Sequence, residues 1–358
     1  MQSYLMRTVY QNSPSSFHKN NFDLLRFCFA AIVFFVHAAV LTANDYLLSI
    51  AKFFSSEIAV KSFFVVSGFL IFMSYQNSQN ISSYFSKRIR RIYPAYLFVI
   101  LASVLLGMKF TMLSANDYWS VATLKYFLAN LTFLNFLQPT LPGLFTSNLN
   151  PVINGALWTL KIEVMFYVIV PLLVFWFNRF GRLSVMLSLF LGSVIYSYVL
   201  FAMAESHRGV ALIELQRQLP GQLTFFIVGA AGYYYFNTFK KYAVYLLPIA
   251  ALAFVLDTHL PWIVLEPLAL GILVVYFATI FPYLGNFGKY GDFSYGIYIL
   301  HFPILQLLIA NHLFADSPIL FITVAGSLVL FFSILLWHFI EKPFLTKNSY
   351  YVAEHGAK

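Results

Sequence analysis

The sequence predicts an all-helical, polytopic membrane protein with about ten transmembrane helices and no separate soluble domain. Three observations carry that reading. First, only 10% of its 358 residues are Asp, Glu, Lys or Arg, where a soluble chain carries about 25%. Second, 60% of the residues are apolar and 20% are aromatic, and the mean hydropathy is +0.77. A soluble monomer of that composition could not cover its surface with polar groups. Third, the apolar residues fall in runs of about 17–25, the length a helix needs to cross a bilayer.

The runs occupy roughly 22–42, 58–75, 93–113, 156–178, 183–203, 219–238, 241–257, 260–282, 293–313 and 318–340. An eleventh apolar stretch, 118–137, contains Lys125 and Asn130 and leads into a loop rich in Pro, Gly and Asn, so it reads as interfacial or re-entrant. The formal charge of +9 would suggest a nucleic-acid partner in a soluble protein. Here the cations lie in short loops between the spans, where they set topology, and no nucleic acid is expected. One side, with Lys19, Arg88, Arg91, Arg179, Arg182 and Lys241 among its members, holds fourteen; the other holds four, Lys52, Lys125, Arg208 and Arg217. The positive-inside rule then puts both termini in the cytoplasm. The polar stretch 1–21 does not read as a cleavable signal, and the single cysteine, Cys28, excludes an intrachain disulfide. Residues 1–345 read as one integral-membrane domain and 346–358 as a short cytoplasmic tail. The outer loop 113–156 is the expected lid.

A charge at the bilayer centre costs at least about 2.5–3.5 kcal/mol, so each intramembrane charge invites a functional reading. Arg26 and His37 are eleven residues apart, almost three whole turns, so they share one helix face with a rise of about 16 Å. Arg26 lies about one turn inside and His37 lies past the midplane. Imidazole suits general-base work because its unperturbed pKa is about 6.5. A snorkelling arginine and a histidine that merely bonds a neighbouring helix are the bland alternatives. In LWTLKIEVMFY, 157–167, Glu163 reaches about the depth of His37. It could orient that ring, or pair with Lys61 or Lys161.

KRIRRIYP, 87–94, puts four cations before a helix expected to start at Pro94. They suit either an orientation anchor against anionic lipid or a clamp for a polyanion, since the arginine fork binds phosphate bidentately. In SFFVVSGFL, 62–70, the small Ser67 and Gly68 admit either a packed helix or an extended ligand. DFSYGIYILH, 292–301, places Tyr295, Tyr298 and His301 inside the membrane. WHFIEKPF, 337–344, puts His338 and Glu341 on one face at the last helix's inner end. No metal-ligand spacing, P-loop or dinucleotide fingerprint occurs, so no metal is expected.

Arg26 and His37, SFFVVSGFL, RIRRIYP, LWTLKIEVMFY, SYGIYILH and the closing IEKPF occur in one order over about residues 17–345. Together they resemble the acyltransferase family 3 integral-membrane O-acyltransferases. That resemblance implies transfer of an acyl group, most often acetyl from acetyl-CoA. The acceptor would be a hydroxyl of a bacterial cell-envelope or secreted glycan, such as lipopolysaccharide, exopolysaccharide or a lipid-linked sugar. It implies His37 as the essential histidine, Arg26 as the essential arginine, and Arg88, Arg90 and Arg91 as a coenzyme-binding cluster, with Glu163 as the acidic position. The expected picture has the acyl donor passing Ser67 and Gly68 to His37, oriented by Glu163, and a sugar contacting Trp158, Tyr298 and His301. His37 would act as general base or as nucleophile of an acyl-histidine relay. The expected setting is the bacterial inner membrane, among membrane lipids and polysaccharide-assembly partners. A transporter or flippase of lipid-linked sugar is the alternative, since it too needs intramembrane charges.

Overall fold

A computed structural model describes residues 19–207, 210–256, 264–346, 349 and 351, with the side chains of 205–207, 210 and 256 left aside. The expected tail 346–358 lies mostly outside the described residues, as do Arg7, Arg208, Lys347 and Lys358, which count toward the charge asymmetry. The described residues are helical and contain no strand.

Local chemistry sets the helix starts. The first helix, α1 (Phe22–Thr42), begins after the buried Asn21. The Asn21 amide bonds the carbonyls of Phe277 and Pro282, 3.0 and 3.1 Å away. A surface turn, α2 (Asp45–Ala51), is capped by Asn44. The Ser55 hydroxyl accepts the Ile58 amide and opens α3 (Ser56–Gln76). Asn80 accepts the Ser83 amide at 2.8 Å and opens α4 (Ile81–Phe110). These are ordinary N-cap contacts.

The next stretch, 118–137, does not span. It gives α5 (Val121–Leu131), of 11 residues, and one tight turn at Asn135–Leu137. Then come α6 (Trp158–Phe180) and α7 (Arg182–His207), joined at Gly181 with φ +86°, a backbone angle that suits glycine. The bundle is completed by α8 (Leu219–Tyr234), α9 (Phe236–Leu256), α10 (Leu265–Thr279), α11 (Ser294–Ala310) and α12 (Pro318–Leu336). A π-turn, Trp337–Glu341, prolongs α12.

Each of the ten expected spans coincides with a helix. Seven of them (α1, α3, α4, α6, α7, α9 and α12) are long and apolar enough to cross a membrane. The apolar helices α10 and α11 have only 15 and 17 residues. At 1.5 Å per residue they reach about 22 and 25 Å, short of a hydrocarbon core of about 30 Å. The largest correction concerns α4. It starts at Ile81 and not near Pro94, so Lys87, Arg88, Arg90 and Arg91 are helical residues and not loop residues.

Two interior prolines are accommodated by long-range partners. A proline in a helix leaves the carbonyl four residues earlier without its donor. For Pro171 that carbonyl belongs to Tyr167, and the Tyr84 hydroxyl donates to it at 3.1 Å. For Pro303 it belongs to Ile299, and the Asn154 amide donates to it at 2.8 Å. In hydrocarbon such re-satisfaction is required.

At the centre, α3 packs on α8 through two glycines. A Cβ at Gly68 would sit 2.0 Å from the Phe226 carbonyl oxygen, and one at Gly229 would sit 2.0 Å from that of Val65. Gly68 therefore serves the backbone contact between two helices, and the expected place for it beside a coenzyme is corrected. Gly68→Ala or Gly229→Ala must push α3 and α8 apart, a change of the overpacking type that costs about 1–3 kcal/mol. A lowered melting temperature in detergent is the expected result; an unchanged one would refute the contact.

Candidate active site

Of the side chains singled out by sequence, Arg26, Ser67, Arg88, Arg91, Glu163 and Tyr298 line one cavity between α1, α3, α4, α6 and α11. The end of the bundle that carries Lys87–Arg91 is termed the basic end.

At the basic end Asp292, 3% exposed, sits between two arginines. Its Oδ2 is 3.1 Å from Arg26 Nη2 and also bonds Arg91. Arg26 reaches Asp23 as well, and Arg91 Nη1 lies 3.0 Å from Glu341 Oε2. Asp292 also accepts the Ser294 amide at 3.2 Å, which places a carboxylate at the N-terminus of α11. Burial pushes the Asp292 carboxyl up, but the guanidiniums of Arg26 and Arg91 outweigh it and hold the group below the usual carboxylate range. From the tail, the Tyr351 hydroxyl donates to Asp23 at 2.8 Å and accepts from Arg26. Its ring packs on Trp337 and under the Arg91 guanidinium.

Two cavities meet at this knot. A vestibule of about 360 Å³ is bordered by Asp23, Lys87, Ser74, Thr346 and Tyr351. An inner cavity of about 140 Å³ is bordered by Ser67, Ile92, Thr159, Glu163, Tyr167 and Tyr298. Arg26, Leu70, Arg88 and Arg91 line both. The Nε atoms of Arg26 and Arg88 are buried and have no acceptor among the described residues. Arg88 forms no ion pair among those residues; its guanidinium lies 5.7 Å from the Tyr167 ring centroid. Buried donors are nearly always paired, so two orphans on one cavity wall suit an anionic ligand.

Arg90 departs from the expected cluster. It is exposed, and its Nε donates to Ser86 at 3.2 Å. Because α4 is helical here, Lys87, Arg88 and Arg91 share a face at spacings of three and four, and Arg90 points away. Lys87, one of the four cations of the 87–94 motif but not of the coenzyme-binding cluster expected from the resemblance, lines the vestibule. Thr159, Asp292 and Tyr351 were missed.

Inside the cavity, Glu163 accepts the Ser67 hydroxyl at 2.7 Å and the Tyr167 hydroxyl at 2.8 Å. It touches neither His37 nor a lysine. Lys61 is held by Glu57 and Glu266, both at 2.7 Å, and Lys161 donates to Gln218. The expectation that Glu163 orients His37 is therefore corrected: equal depth did not mean a shared face.

The partner of His37 is His301. His37 Nδ1 is 2.8 Å from His301 Nε2, and His301 Nδ1 is 3.1 Å from the Ile297 carbonyl oxygen. The ring planes lie 15° apart with centroids 5.1 Å apart. Nearly coplanar rings with so short a nitrogen contact meet edge to edge. His301 is fully buried with both nitrogens engaged, which leaves it no ring nitrogen for a sugar. Trp158 is half-buried against the core and lines neither cavity.

His37 does not line the inner cavity either. The cavity ends at Phe63, Thr159 and Tyr298, whose hydroxyl is 2.7 Å from Thr159 Oγ1. The Tyr298 ring stands 5.6 Å from Phe63 on one side and 6.0 Å from His301 on the other. One aromatic layer thus separates the cavity from the histidines, where an open passage was expected. Beyond them, the loop before α6 is tied to α11 through the buried Gln306. Gln306 accepts the Asn148 amide at 2.8 Å and donates to the Val152 carbonyl at 2.7 Å. Among the described residues no group of three His, Cys, Asp or Glu side chains could hold a metal ion.

Residues 19–338 match the family described as an acyltransferase domain. The chain belongs to that acyltransferase family. It is similar to the O-acetyl transferase of Shigella phage Sf6, 28% identical over 341 residues, which cover 93% of this chain and 98% of that one. Nodulation protein 10 of Rhizobium leguminosarum bv. viciae is 36% identical over 182 residues, 48% of either chain. An uncharacterized protein of Haemophilus influenzae is 31% identical over 154 residues, 39% of this chain and 57% of that one. The matches span about half of the latter two relatives. No solved structure matches the acyltransferase significantly.

The knot around Asp292 makes a stability prediction. Asp292→Asn leaves two buried guanidiniums short of a carboxylate, a change that costs about 3–5 kcal/mol. Because the folded carboxyl titrates below its unfolded value of about 3.9, its contribution is full above that pH and fades as pH falls further. Thermal melts should show the variant destabilised at pH 7, with the difference shrinking only below about pH 4. Equal melting temperatures at pH 7 would contradict the assignment.

Proposed function

We propose that this acyltransferase moves an acetyl group from acetyl-CoA onto a hydroxyl of a cell-envelope or secreted glycan, or of its lipid-linked precursor. The observation that carries the reading is the arginine wall shared by vestibule and inner cavity, with the two buried Nε donors of Arg26 and Arg88. A wall of that kind fits the phosphates of a coenzyme. The printed name of the phage relative, similar over nearly the whole chain, supports O-acetyl transfer. The family match gives the transporter reading no support.

In this reading the basic end faces the cytoplasm of a bacterial inner membrane, as the charge asymmetry of the loops favours. Lys87, Arg88, Arg91 and Arg26 bind the phosphates, with Lys87 acting as a point charge and the arginines as planar forks. Ser67 and Glu163 lie along the wall of the inner cavity and contact the arm of the donor. His37 acts as general base. Its Nε2 takes the proton of the acceptor hydroxyl while the hydroxyl oxygen bonds to the thioester carbonyl carbon. The carbon–sulfur bond then breaks, and the leaving thiolate takes the proton from the His37 imidazolium. The ring returns to its neutral form, and ester and thiol are the products. The acceptor arrives from the opposite face, beneath the loop tied down by Gln306.

Two outcomes test this. His37→Ala should lower transfer by about 10²- to 10⁴-fold while the protein keeps its membrane insertion and melting temperature. Mass spectrometry of surface glycans from cells with and without the gene reads transfer and identifies the acceptor; full acetylation with the variant would overturn the role of His37. Arg88→Ala removes a charge-assisted contact worth about 1.5–3 kcal/mol, so the KM for acetyl-CoA should rise roughly 10- to 100-fold with kcat little changed. Thiol release by purified protein measures both constants, and an unchanged KM would refute the phosphate wall.

A further inference from the structure

We infer that His301 is a positioning residue that fixes the tautomer of His37, through a relay that ends on the Ile297 carbonyl. The inference rests on His37 being the base of the proposed transfer.

The relay has one proton assignment when both rings are neutral. A carbonyl oxygen only accepts, so the 3.1 Å contact to Ile297 requires the proton of His301 on Nδ1. His301 Nε2 then carries a lone pair. The nitrogen facing it at 2.8 Å, His37 Nδ1, must supply the hydrogen. That leaves the lone pair of His37 on Nε2, the nitrogen not engaged by His301. The helical carbonyl of Ile297, acting through His301, thus decides which His37 nitrogen can take a proton.

The groups around the relay leave that assignment undisturbed. Phe302 stands edge-on to His37, with ring centroids 5.5 Å apart, and Tyr298 stands edge-on to His301. The Tyr298 hydroxyl is held at Thr159. Glu163, the carboxylate on the inner cavity, is engaged by Ser67 and Tyr167. A histidine thus fills the place that an aspartate takes in a hydrolase triad, where the partner likewise selects tautomer and orientation. A neutral partner does so without burying another charge in the membrane. When His37 takes the acceptor proton on Nε2, its Nδ1–H bond to His301 is kept, so the ring does not need to reorient during the step.

The test uses the full chain in lipid nanodiscs. With ¹⁵N-histidine labelling, the His37 signal is assigned by its loss in His37→Gln. Wild-type His37 should carry its proton on Nδ1, with Nε2 unprotonated. In His301→Leu the His37 signal should move toward the Nε2–H form. A wild-type His37 protonated on Nε2 would overturn the inference, and this readout does not depend on activity. In turnover, His301→Leu should lower kcat by about 10²- to 10⁴-fold with the acetyl-CoA KM within twofold. His301→Gln, whose amide can both accept from His37 and donate to Ile297, should recover at least tenfold of that loss. Equal activity of the Leu and Gln variants would show that His301 merely fills space. If His37→Gln keeps full activity, the base reading fails. If His37→Gln is inactive and His301→Leu keeps wild-type kcat, only the relay fails.

Discussion

The structure depends on how an apolar helix bundle accommodates buried charge at one end. Arg26, Arg88 and Arg91 come from two helices and converge where hydrocarbon would otherwise pack. Asp292 lies between two of them, with Asp23 and Glu341 at the flanks. Those carboxylates hold Arg26 and Arg91, and Arg88 faces the Tyr167 ring and forms no ion pair among the described residues. A buried guanidinium donor without an acceptor is unfavourable unless a ligand completes it, and Arg26 and Arg88 each carry one at Nε. The same unmet donors that would weaken a purely structural cluster suit a site that receives phosphate.

A second constraint is the aromatic layer of Phe63 and Tyr298. It divides the path into a charged compartment and a histidine compartment. In the proposed reaction the acyl end of the donor must pass this layer, so Tyr298 must part from Phe63 or from Thr159. In that reaction the layer would keep water entering by the vestibule away from the base. Exclusion of water from a thioester beside an active base limits hydrolysis.

Much of the fold was legible because the bilayer imposes one length and one polarity on every span. The ten apolar runs became ten helices, and 118–137 did not span. The start of α4 was misread because Pro94 looked like a helix beginning. Asn80 caps the helix fourteen residues earlier, and the proline sits inside it. The carbonyls freed by Pro171 and Pro303 are met by Tyr84 and Asn154, contacts that no local pattern announces. The site was legible by residue type more than by pairing. Arg26, Arg88, Arg91, Ser67 and Glu163 line the inner cavity and His37 does not, because depth along a helix says nothing about which neighbour it faces. His37 therefore met His301 from α11 and not Glu163 from α6. Arg90 fell out of the cluster once its segment proved helical.

The central claim is that one path joins the arginine wall to the His37–His301 pair. Its most direct test is a structure of the protein in lipid nanodiscs with a non-transferable acetyl-CoA analogue. The account predicts phosphate density against Arg88 and Arg26, a displaced Phe63–Tyr298 pair, and the acyl carbonyl beside His37 Nε2. An analogue bound elsewhere, or one seated at the arginines while His37 stays sealed behind an unmoved Tyr298, would contradict it.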